Sequence, residues 1–441
     1  MPAILKILVV FAAMLALPRL RLPLGAALVA GGVALNVWAG LPPADIAANL
    51  GRALAGAELW LILAVTVLIV EVGRYVSEGR QAEDLLAAVQ SWGGRHGRTL
   101  SLVAMPAAIG LIPMAAGALL SAPFVRQTTA DVEAHDDWRA VVNYWFRHIW
   151  EHWWPLYPGV IIAMALFELD AWRFVAAQIG FTPAAMLAGL GFLVWPQRAA
   201  FAAPALAAGG RPGRALAVAA PMLAAVAGLL VLPAPLARLW PALGPQNGKL
   251  LGLLAGLAGG ILLIVREEGW RGAGAAAGGG ALRGRGRLFS TLSSPESRNV
   301  LSSLAGVLIF KALLQRSGLL PVASRELLVS GIPPAAAVAA LPMLAGFVTG
   351  IALGFTGTSF PLVVGLLHAE GATLTPLATL VLAYGFGHSG MMLSPVHLCL
   401  LVSRDYFRAN LLGMYRRLLP CVLTMLLFTL AAHAVLRALG W

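Results

Sequence analysis

Apolar runs long enough to cross a lipid bilayer recur along the chain, separated by short segments that contain polar residues and arginines. A spanning helix needs about 20 predominantly apolar residues, and lipid offers no partners for backbone polar groups, so these runs are predicted to be helices. They lack the alternation over about ten residues that marks the strands of an outer-membrane barrel. Ten helical spans are predicted, at about 3–18, 22–40, 56–75, 143–168, 172–196, 213–233, 248–266, 300–318, 376–402 and 411–439.

Two further apolar regions, about 99–125 and 335–367, are interrupted midway by Pro, Gly and Ser. They are predicted to be re-entrant hairpins, which enter and leave the membrane on one face. Broken backbone at membrane depth survives only where it is buried in protein or lines a wet cavity. The two hairpins are therefore candidate parts of a transport site.

A short pattern of aromatic residues and histidine occurs once in each half of the chain. Tyr144-Trp-Phe-Arg-His148 and Tyr384-Gly-Phe-Gly-His388 both fit Y-x-F-x-H-x6-P, and they lie 240 residues apart. The spanning segments align at nearly the same offset, which indicates an internal duplication rather than a chance match.

The duplication predicts two repeats, residues 1–200 and 213–441, joined by a linker at 201–212. Because each repeat has five spans, an odd number, the second must start from the opposite face and lie upside down, as in many secondary transporters. The predicted fold class is an all-α polytopic membrane protein with two inverted repeats of five transmembrane helices and one re-entrant hairpin each. The spans at about 143–168 and 376–402 are predicted to be broken helices.

Composition and charge support a membrane protein and give it an orientation. Hydrophobic residues make up 59% of the 441 residues and charged residues only 11%, against roughly 25% charged in soluble domains. The net charge of +12 is spread over the ends of apolar segments, which excludes the clustered basic face that nucleic acid requires. When the flexible Arg-rich loop 267–298 is placed in the cytoplasm, most basic residues, Arg147 among them, fall on that side. Both termini then lie outside the cytoplasm of a bacterial inner membrane.

Small and hydroxyl-bearing residues at the hairpin tips are candidate ligands for a solute or an ion. Ser121-Ala-Pro123 in the first hairpin matches Ser359-Phe-Pro361 in the second. Half-helix N-termini favour an anionic group, whereas exposed carbonyls and hydroxyls suit Na⁺ or H₃O⁺. The alternative is that these residues only allow ordinary membrane helices to pack closely. The candidates are Gly117, Ser121, Pro123, Thr356, Gly357, Thr358, Ser359 and Pro361.

Histidines follow each hairpin, at a depth where ionisable groups are candidates for function. His148, Glu151 and His152 share one face of a helix by their spacing, and histidine titrates near neutral pH. With His388 of the second copy, they are candidates for proton coupling. The alternative places the first group at the membrane surface, within an aromatic belt. That belt would contain Trp145, Trp150, Trp153 and Trp154. In the second copy, the candidate binding residues are His388, Ser389 and Ser394.

His148-Ile-Trp-Glu-His152 also fits H-x-x-E-H, the inverted zinc-protease motif, in which two histidines bind zinc and the glutamate acts as base. The equivalent segment of the second copy keeps only the first histidine, and no third ligand stands out. Cys399 and Cys421 lie in apolar stretches and are interpreted as packing residues. We therefore predict no metal site, no cofactor and no enzymatic activity.

Three strings of residues resemble a family of integral-membrane proteins, domain of unknown function four-hundred-and-one. They are Pro113-Met-Ala-Ala-Gly-Ala-Leu-Leu-Ser-Ala-Pro123, Asn143-Tyr-Trp-Phe-Arg-His-Ile-Trp-Glu151 and Ser394-Pro-Val-His-Leu-Cys-Leu400. The repeat of five spans and one hairpin resembles the wider ion transporter superfamily. This resemblance implies a scaffold domain, a mobile transport domain that contains both hairpins, elevator-type alternating access and a homodimer.

The chain departs from the dicarboxylate–sodium symporters of that superfamily, which carry Ser-Asn-Thr triplets at both hairpin tips. The second tip has Thr356-Gly-Thr-Ser359, and the first has Gly117-Ala-Leu-Leu-Ser121, without Asn or Thr. The resemblance therefore does not extend to dicarboxylate specificity or to paired sodium sites, and coupling to protons through histidine fits equally well.

The sequence thus predicts a secondary active transporter that moves a small anionic organic solute and is coupled to Na⁺ or H⁺. A channel or passive uniporter on the same scaffold is one alternative, and a membrane metalloprotease that uses the His/Glu group is another. The expected partners are the solute, membrane lipid and a second copy of the chain, with no nucleic acid.

Overall fold

The computed structural model describes residues 2–78, 97–113, 117–201, 212–272, 294–368 and 373–441. Within these ranges the chain is all-helical, with 82% helix and no strand. The helices of the first half are α1 (Ala3–Ala16), α2 (Leu24–Trp38), α3 (Pro43–Ala55), α4 (Ala57–Glu78), α5 (Gly97–Gly110), α6 (Ala118–Thr128), α7 (Asp136–Arg147), α8 (Pro158–Phe167), α9 (Ala171–Gln178) and α10 (Phe181–Gly189). Those of the second half are α11 (Pro212–Val231), α12 (Pro233–Leu239), α13 (Pro245–Gly272), α14 (Pro295–Arg316), α15 (Leu319–Val329), α16 (Pro334–Thr349), α17 (Ala352–Leu367), α18 (Pro376–Met392), α19 (Leu398–Phe407) and α20 (Leu411–Ala438).

Proline starts many of these helices, because its fixed φ suits the first helical position, where no backbone N–H is needed. Helix α20 begins instead at a side-chain cap. The Asn410 amide oxygen accepts hydrogen bonds from the N–H groups of Leu412 (2.9 Å) and Gly413 (3.1 Å), which satisfies two donors of the first turn. The helices that begin with proline start at Pro43, Pro158, Pro212, Pro233, Pro245, Pro295, Pro334 and Pro376.

Seven of the ten predicted spans coincide with segments that are long and apolar enough to cross a membrane. Two of the seven are bent pairs, α3 with α4 (47°) and α11 with α12 (46°). Of the other three, α2 covers only 15 residues, and the spans predicted at 143–168 and 376–402 are each interrupted between two helices. The continuous segments are Ala3–Leu20, Ala171–Arg198, Pro245–Leu263, Ser297–Arg316 and Leu411–Ala438. The chain is therefore a multi-pass membrane protein.

The helix positions repeat the 240-residue offset of the sequence motif. Both bounds of α19 follow those of α8 by 240 residues (398 − 158 and 407 − 167). The span Leu411–Ala438 follows Ala171–Arg198 by the same number at both ends. Glu168 (φ 54°) and Arg408 (φ 57°), which end α8 and α19, share the left-handed conformation that side chains other than glycine seldom adopt. The two halves thus repeat each other in element length and in an unusual backbone feature.

Both predicted hairpin regions fold as two helices that pack against each other, α5 with α6 and α16 with α17. Gly350 joins the second pair, and its φ of +67° suits glycine. The predicted linker 201–212 lies outside the described residues except at its two ends. The range predicted for the flexible loop, 267–298, extends into a helix at each end, because 267–272 belong to α13 and 295–298 belong to α14. Its middle part lies outside the described ranges.

Glycines bring several helix pairs into close contact, as is common in membrane helix packing. A Cβ on Gly25 of α2 would lie 2.0 Å from the Ser302 carbonyl oxygen of α14. A Cβ on Gly390 of α18 would lie 2.1 Å from the Met343 carbonyl oxygen of α16. The second contact fixes α18 against the hairpin helix α16, and α18 carries His388.

Candidate functional site

Each of the two broken helices is interrupted at one connection that contains a proline. The first connection comprises residues 148–157, between α7 and α8, and the second comprises 393–397, between α18 and α19. Pro155 and Pro395 cannot donate a helical hydrogen bond, which makes a break at each connection compatible with the sequence. The last residues, Tyr157 (φ −78°, ψ 125°) and His397 (φ −65°, ψ 118°), have extended backbone, and a new helix begins after each.

Six titratable side chains meet at these two connections. They lie between 1% and 6% exposed, and burying an unpaired charge costs several kcal/mol. Ionisable groups at membrane depth are functional candidates for that reason. We call this set the central cluster: Arg147, His148, Glu151, His152, His388 and His397.

Glu151 is the carboxylate of the central cluster, and it faces basic groups from both halves of the chain. Its Oε1 lies 3.9 Å from Arg147 Nη1 and 3.8 Å from His148 Nε2. Its Oε2 lies 3.8 Å from His388 Nε2 on α18. One carboxylate is therefore close to two imidazoles that come from different halves of the chain.

The histidines form two pairs, and each pair joins the two halves. His148 Nε2 lies 3.1 Å from His397 Nε2. The His152 and His388 rings lie 4.1 Å apart at 45°, and His152 also stacks on Phe181 of α10 (4.4 Å, 18°). The sequence predicted His148, His152 and His388 as candidates but missed His397, whose only signal was its place two residues after the proline of the second connection.

Equivalent tyrosines tie each broken helix to the other. Tyr144 Oη donates to the Met392 carbonyl at the end of α18 (3.0 Å). Its counterpart, Tyr384 Oη, donates to the Glu151 carbonyl in the first connection (2.8 Å). Both tyrosines belong to the repeated motif, so the motif marks the bonds that hold the two connections together.

The connections also contact the hairpins at equivalent places. Tyr157 Oη donates to the Gly110 carbonyl at the end of α5. His397, 240 residues after Tyr157, packs on Gly350 at the turn of the second hairpin. A Cβ added to Gly350 would lie 2.9 Å from the backbone nitrogen of His397. Each hairpin therefore rests on the end of one connection.

Arg147 is buried in the central cluster, so the prediction that it is a cytoplasmic surface charge is wrong. The residue is 1% exposed, and a Cβ on Gly117 would lie 2.2 Å from its Nη2. Gly117, a predicted site residue, has no side chain, and the Arg147 guanidinium occupies the resulting space beside α6. A one-dimensional count of arginines cannot separate a buried cation from one at a membrane surface.

The four tryptophans that the alternative interpretation assigns to an aromatic belt are buried or half-buried in the structure. Each indole N–H donates to a protein oxygen, as a buried indole requires. These bonds hold the end of α7 and the first connection against α10 and the end of α5. The acceptors are the Ala185 carbonyl for Trp145, the Ala107 carbonyl for Trp150, the Thr182 hydroxyl for Trp153 and the Leu111 carbonyl for Trp154, at 2.8–2.9 Å.

The hydroxyl candidates of the hairpins lie inside helices rather than at irregular tips. The second hairpin turns at Gly350, and α17 already contains Thr356, Gly357, Thr358, Ser359 and Pro361. Ser121 and Pro123 lie in α6 in the same way. The prediction that these residues occupy broken backbone is therefore wrong.

Hydroxyls in membrane helices can donate to the carbonyl one turn back, and these do so. Thr356, Thr358 and Ser359 donate to the carbonyls of Ala352 (2.8 Å), Gly354 (2.7 Å) and Phe355 (2.5 Å), and Ser121 donates to that of Ala118 (3.3 Å). All four residues are fully buried, so these hydrogen bonds satisfy their hydroxyl donors inside the protein.

The segment from His148 to His152 is a series of turns, not a helix. His148 faces His397 and His152 faces His388, so the prediction that they share one helical face is wrong. The pairing that an H-x-x-E-H zinc site needs is therefore missing here. Ser389 and Ser394 are buried beside the cluster, on α18 and in the second connection.

This fold and site define a class: an all-helical, multi-pass membrane protein with two broken helices that enclose a buried ionisable cluster. The chain belongs to the family described as "Protein of unknown function (DUF401)", whose match covers residues 29–206 and 250–435. Both matched segments include one of the two connections.

A solved structure has a similar fold, that of the Alcanivorax borkumensis YdaH transporter, described as having an unusual topology. The TM-score is 0.56 at 14% sequence identity, over 90% of this chain and 88% of that one. No curated protein matches the sequence.

Proposed function

We propose that the protein is a secondary active transporter that moves a small anionic organic solute across a bacterial inner membrane, coupled to Na⁺ or H⁺. The observation that carries the proposal is the central cluster, buried where the broken helices of the two halves meet. Secondary transporters build solute and ion sites from broken helices near the bilayer midplane. The fold shared with a solved transporter supports this assignment.

The proposal includes two inverted repeats and elevator-type alternating access by the part that carries the hairpins. The 240-residue offset of the helix bounds supports the duplication. The reciprocal bonds of Tyr144 and Tyr384 support a pseudo-symmetric arrangement of the two connections. A homodimer with both termini outside the cytoplasm completes the proposed assembly.

Two kinds of group support coupling to a cation. Glu151 and the surrounding imidazoles can take up and release a proton. The hydroxyl oxygens of Ser121, Thr356 and Ser359 can contribute lone pairs to Na⁺, which prefers oxygen ligands. Uptake measured in proteoliposomes under separate pH and Na⁺ gradients distinguishes the two ions.

A basic cavity supports an anionic solute. It has a volume of about 480 Å³ and lies between α14, α15 and α17. Lys311, Arg325 and His368 line it together with Gln315, and Pro361 of the predicted site forms part of its wall. Cationic and amide groups in this arrangement suit a carboxylate or a similar anion.

Lys311→Gln is expected to weaken the apparent affinity for an anionic solute about tenfold, or about 1.4 kcal/mol, because it removes one positive charge from the cavity wall. Lys249→Gln is the matched control. Lys249 and Lys311 are equally exposed (13%) and each lies 3.4 Å from one carboxylate oxygen, of Asp170 and Glu58 respectively, but only Lys311 lines the cavity. The measurement is the concentration dependence of uptake, and equal affinities in the two variants would remove the cavity from the solute path.

Concentrative uptake tests the proposed function itself. The solute is first found by thermal stabilisation of the purified protein with a panel of organic anions, with and without Na⁺. Proteoliposomes are then loaded so that a pH or Na⁺ gradient is the only driving force. A coupled transporter accumulates the solute above its outside concentration, whereas a channel or uniporter only equalises it, and that second result would contradict the proposal.

A further inference from the structure

Three potential metal ligands from both halves of the chain meet beside Glu151. They are the side chains of His148, His397 and Cys399, and their ligand atoms all lie within 4.8 Å of one another. All three residues are at least nine-tenths buried. His148 follows α7, whereas His397 and Cys399 lie at the start of α19.

The tautomer of His148 leaves one ring nitrogen ready for a cation. His148 Nδ1 lies 2.6 Å from the Tyr144 carbonyl oxygen. Because a carbonyl can only accept, Nδ1 carries the proton, and the neutral ring then has its lone pair on Nε2. A backbone carbonyl on the far nitrogen is how proteins orient histidines that bind metals.

His397 Nε2 lies 3.1 Å from that lone pair. If His397 carries its proton on Nε2, the two rings share a hydrogen bond and Nδ1 is left as a bare acceptor. Nδ1 has no hydrogen-bond partner among the residues that the structure describes. If the proton is on Nδ1, two lone pairs face each other, and a cation between them removes the repulsion. The separation is close to the ligand–ligand edge of a tetrahedral zinc site, roughly 3.3 Å for two nitrogens.

We propose that His148 Nε2, His397 Nε2 and Cys399 Sγ bind one borderline-soft divalent transition-metal ion of the Zn²⁺ type. Two imidazoles and one thiolate are a donor set that selects such an ion over Na⁺, Mg²⁺ or Ca²⁺, which prefer oxygen ligands. The Cys399 thiol releases one proton as its sulfur bonds to the metal. Binding is a property of the folded chain and does not depend on the proposed transport activity.

The charges around the site are compatible with a dication. Glu151 Oε1 lies 3.8 Å from His148 Nε2, so a small movement makes it a fourth ligand. Arg147 opposes the metal charge, and the Glu151 carboxylate that it faces at 3.9 Å and the Cys399 thiolate offset two of the three positive charges. The ion would link the two broken helices across the connections.

Cobalt absorption tests the site, because a thiolate bound to Co²⁺ gives a near-ultraviolet charge-transfer band that imidazole and carboxylate ligands do not. Untagged full-length protein is produced in cobalt-supplemented medium, purified, and also incubated with Co²⁺ afterwards, so that the ion can enter during or after folding. Metal content is measured in the same samples. The chain has two cysteines, Cys399 and Cys421, both buried, so Cys421→Ser is a matched control.

The expected result is one Co²⁺ per chain with a thiolate band that is retained in Cys421→Ser and lost in Cys399→Ser. His397→Gln is expected to weaken Co²⁺ binding at least about 100-fold, since even residues that only orient a ligand are worth 10–100-fold. Bound metal should also raise the thermal stability of the wild type and not that of Cys399→Ser. A wild type without the band under both loading conditions, or a band that persists in Cys399→Ser, would overturn the proposal.

Discussion

Glu151→Gln is expected to lower gradient-driven uptake by at least about 100-fold, the scale on which loss of a proton-transferring group slows a reaction. Glutamine keeps the shape of the side chain but can neither take up nor release a proton. The carboxylate lies within 3.9 Å of Arg147, His148 and His388, and it is the one acidic group of the central cluster, so its loss leaves the cluster without an anion that can be protonated. Uptake under an imposed pH gradient is compared with exchange of labelled solute at equal pH, which should continue.

Loss of folding is a competing explanation for lost uptake, since removal of one partner of a buried ion pair typically costs 3–5 kcal/mol. The double variant Arg147→Gln/Glu151→Gln removes both charges and is expected to recover thermal stability without recovering uptake. Glu168→Gln changes an exposed carboxylate at the end of α8 and should leave uptake unchanged. Wild-type coupled uptake in Glu151→Gln would contradict the role of the cluster in coupling.

The sequence predicts the two broken helices that surround this site, because the sequence features that indicate them are local. A proline favours a break in a helix because it cannot donate the helical hydrogen bond, and the repeated motif places one proline at the same position of each copy, in the connection where the helix is broken. Tyr144 and Tyr384 stand in that motif and make the reciprocal bonds between the two connections. The motif thus indicated two broken helices at equivalent places, although the first break begins at His148, inside the segment that was predicted to present one helical face.

The remaining features depend on contacts between distant residues. His148 meets His397 across 249 positions, and no local pattern reports such a pair. In the sequence, Arg147 resembles the arginines that mark the cytoplasmic ends of membrane helices, and only its packing against Gly117 shows that it is buried. Ser359 was expected at an irregular tip, but a hydroxyl that donates to the preceding turn is compatible with a continuous helix. In each case tertiary packing decided between two states that the sequence allows.

Gly390→Ala is expected to destabilise the fold by forcing α16 and α18 apart. Its Cβ would lie 2.1 Å from the Met343 carbonyl oxygen, and Gly346 meets the Gly387 carbonyl in the same helix contact at 2.2 Å. Both obstacles are backbone atoms, so α16 and α18 must separate. Overpacking of this kind costs typically 1–3 kcal/mol and occasionally more. The separation would also move His388, two residues away, relative to Glu151.

Thermal unfolding of the purified variant in detergent measures this effect, with an expected fall in Tm of roughly 2–4 °C for each kcal/mol. Gly259→Ala is the control, because Gly259 also lies inside a helix but a Cβ there meets nothing within 4 Å. Alanine is favoured over glycine in helices by about 1 kcal/mol, so the control should be neutral or stabilising. Equal Tm values for the two variants would show that α16 and α18 do not pack through Gly390, and the position of His388 in the central cluster would then have to be revised.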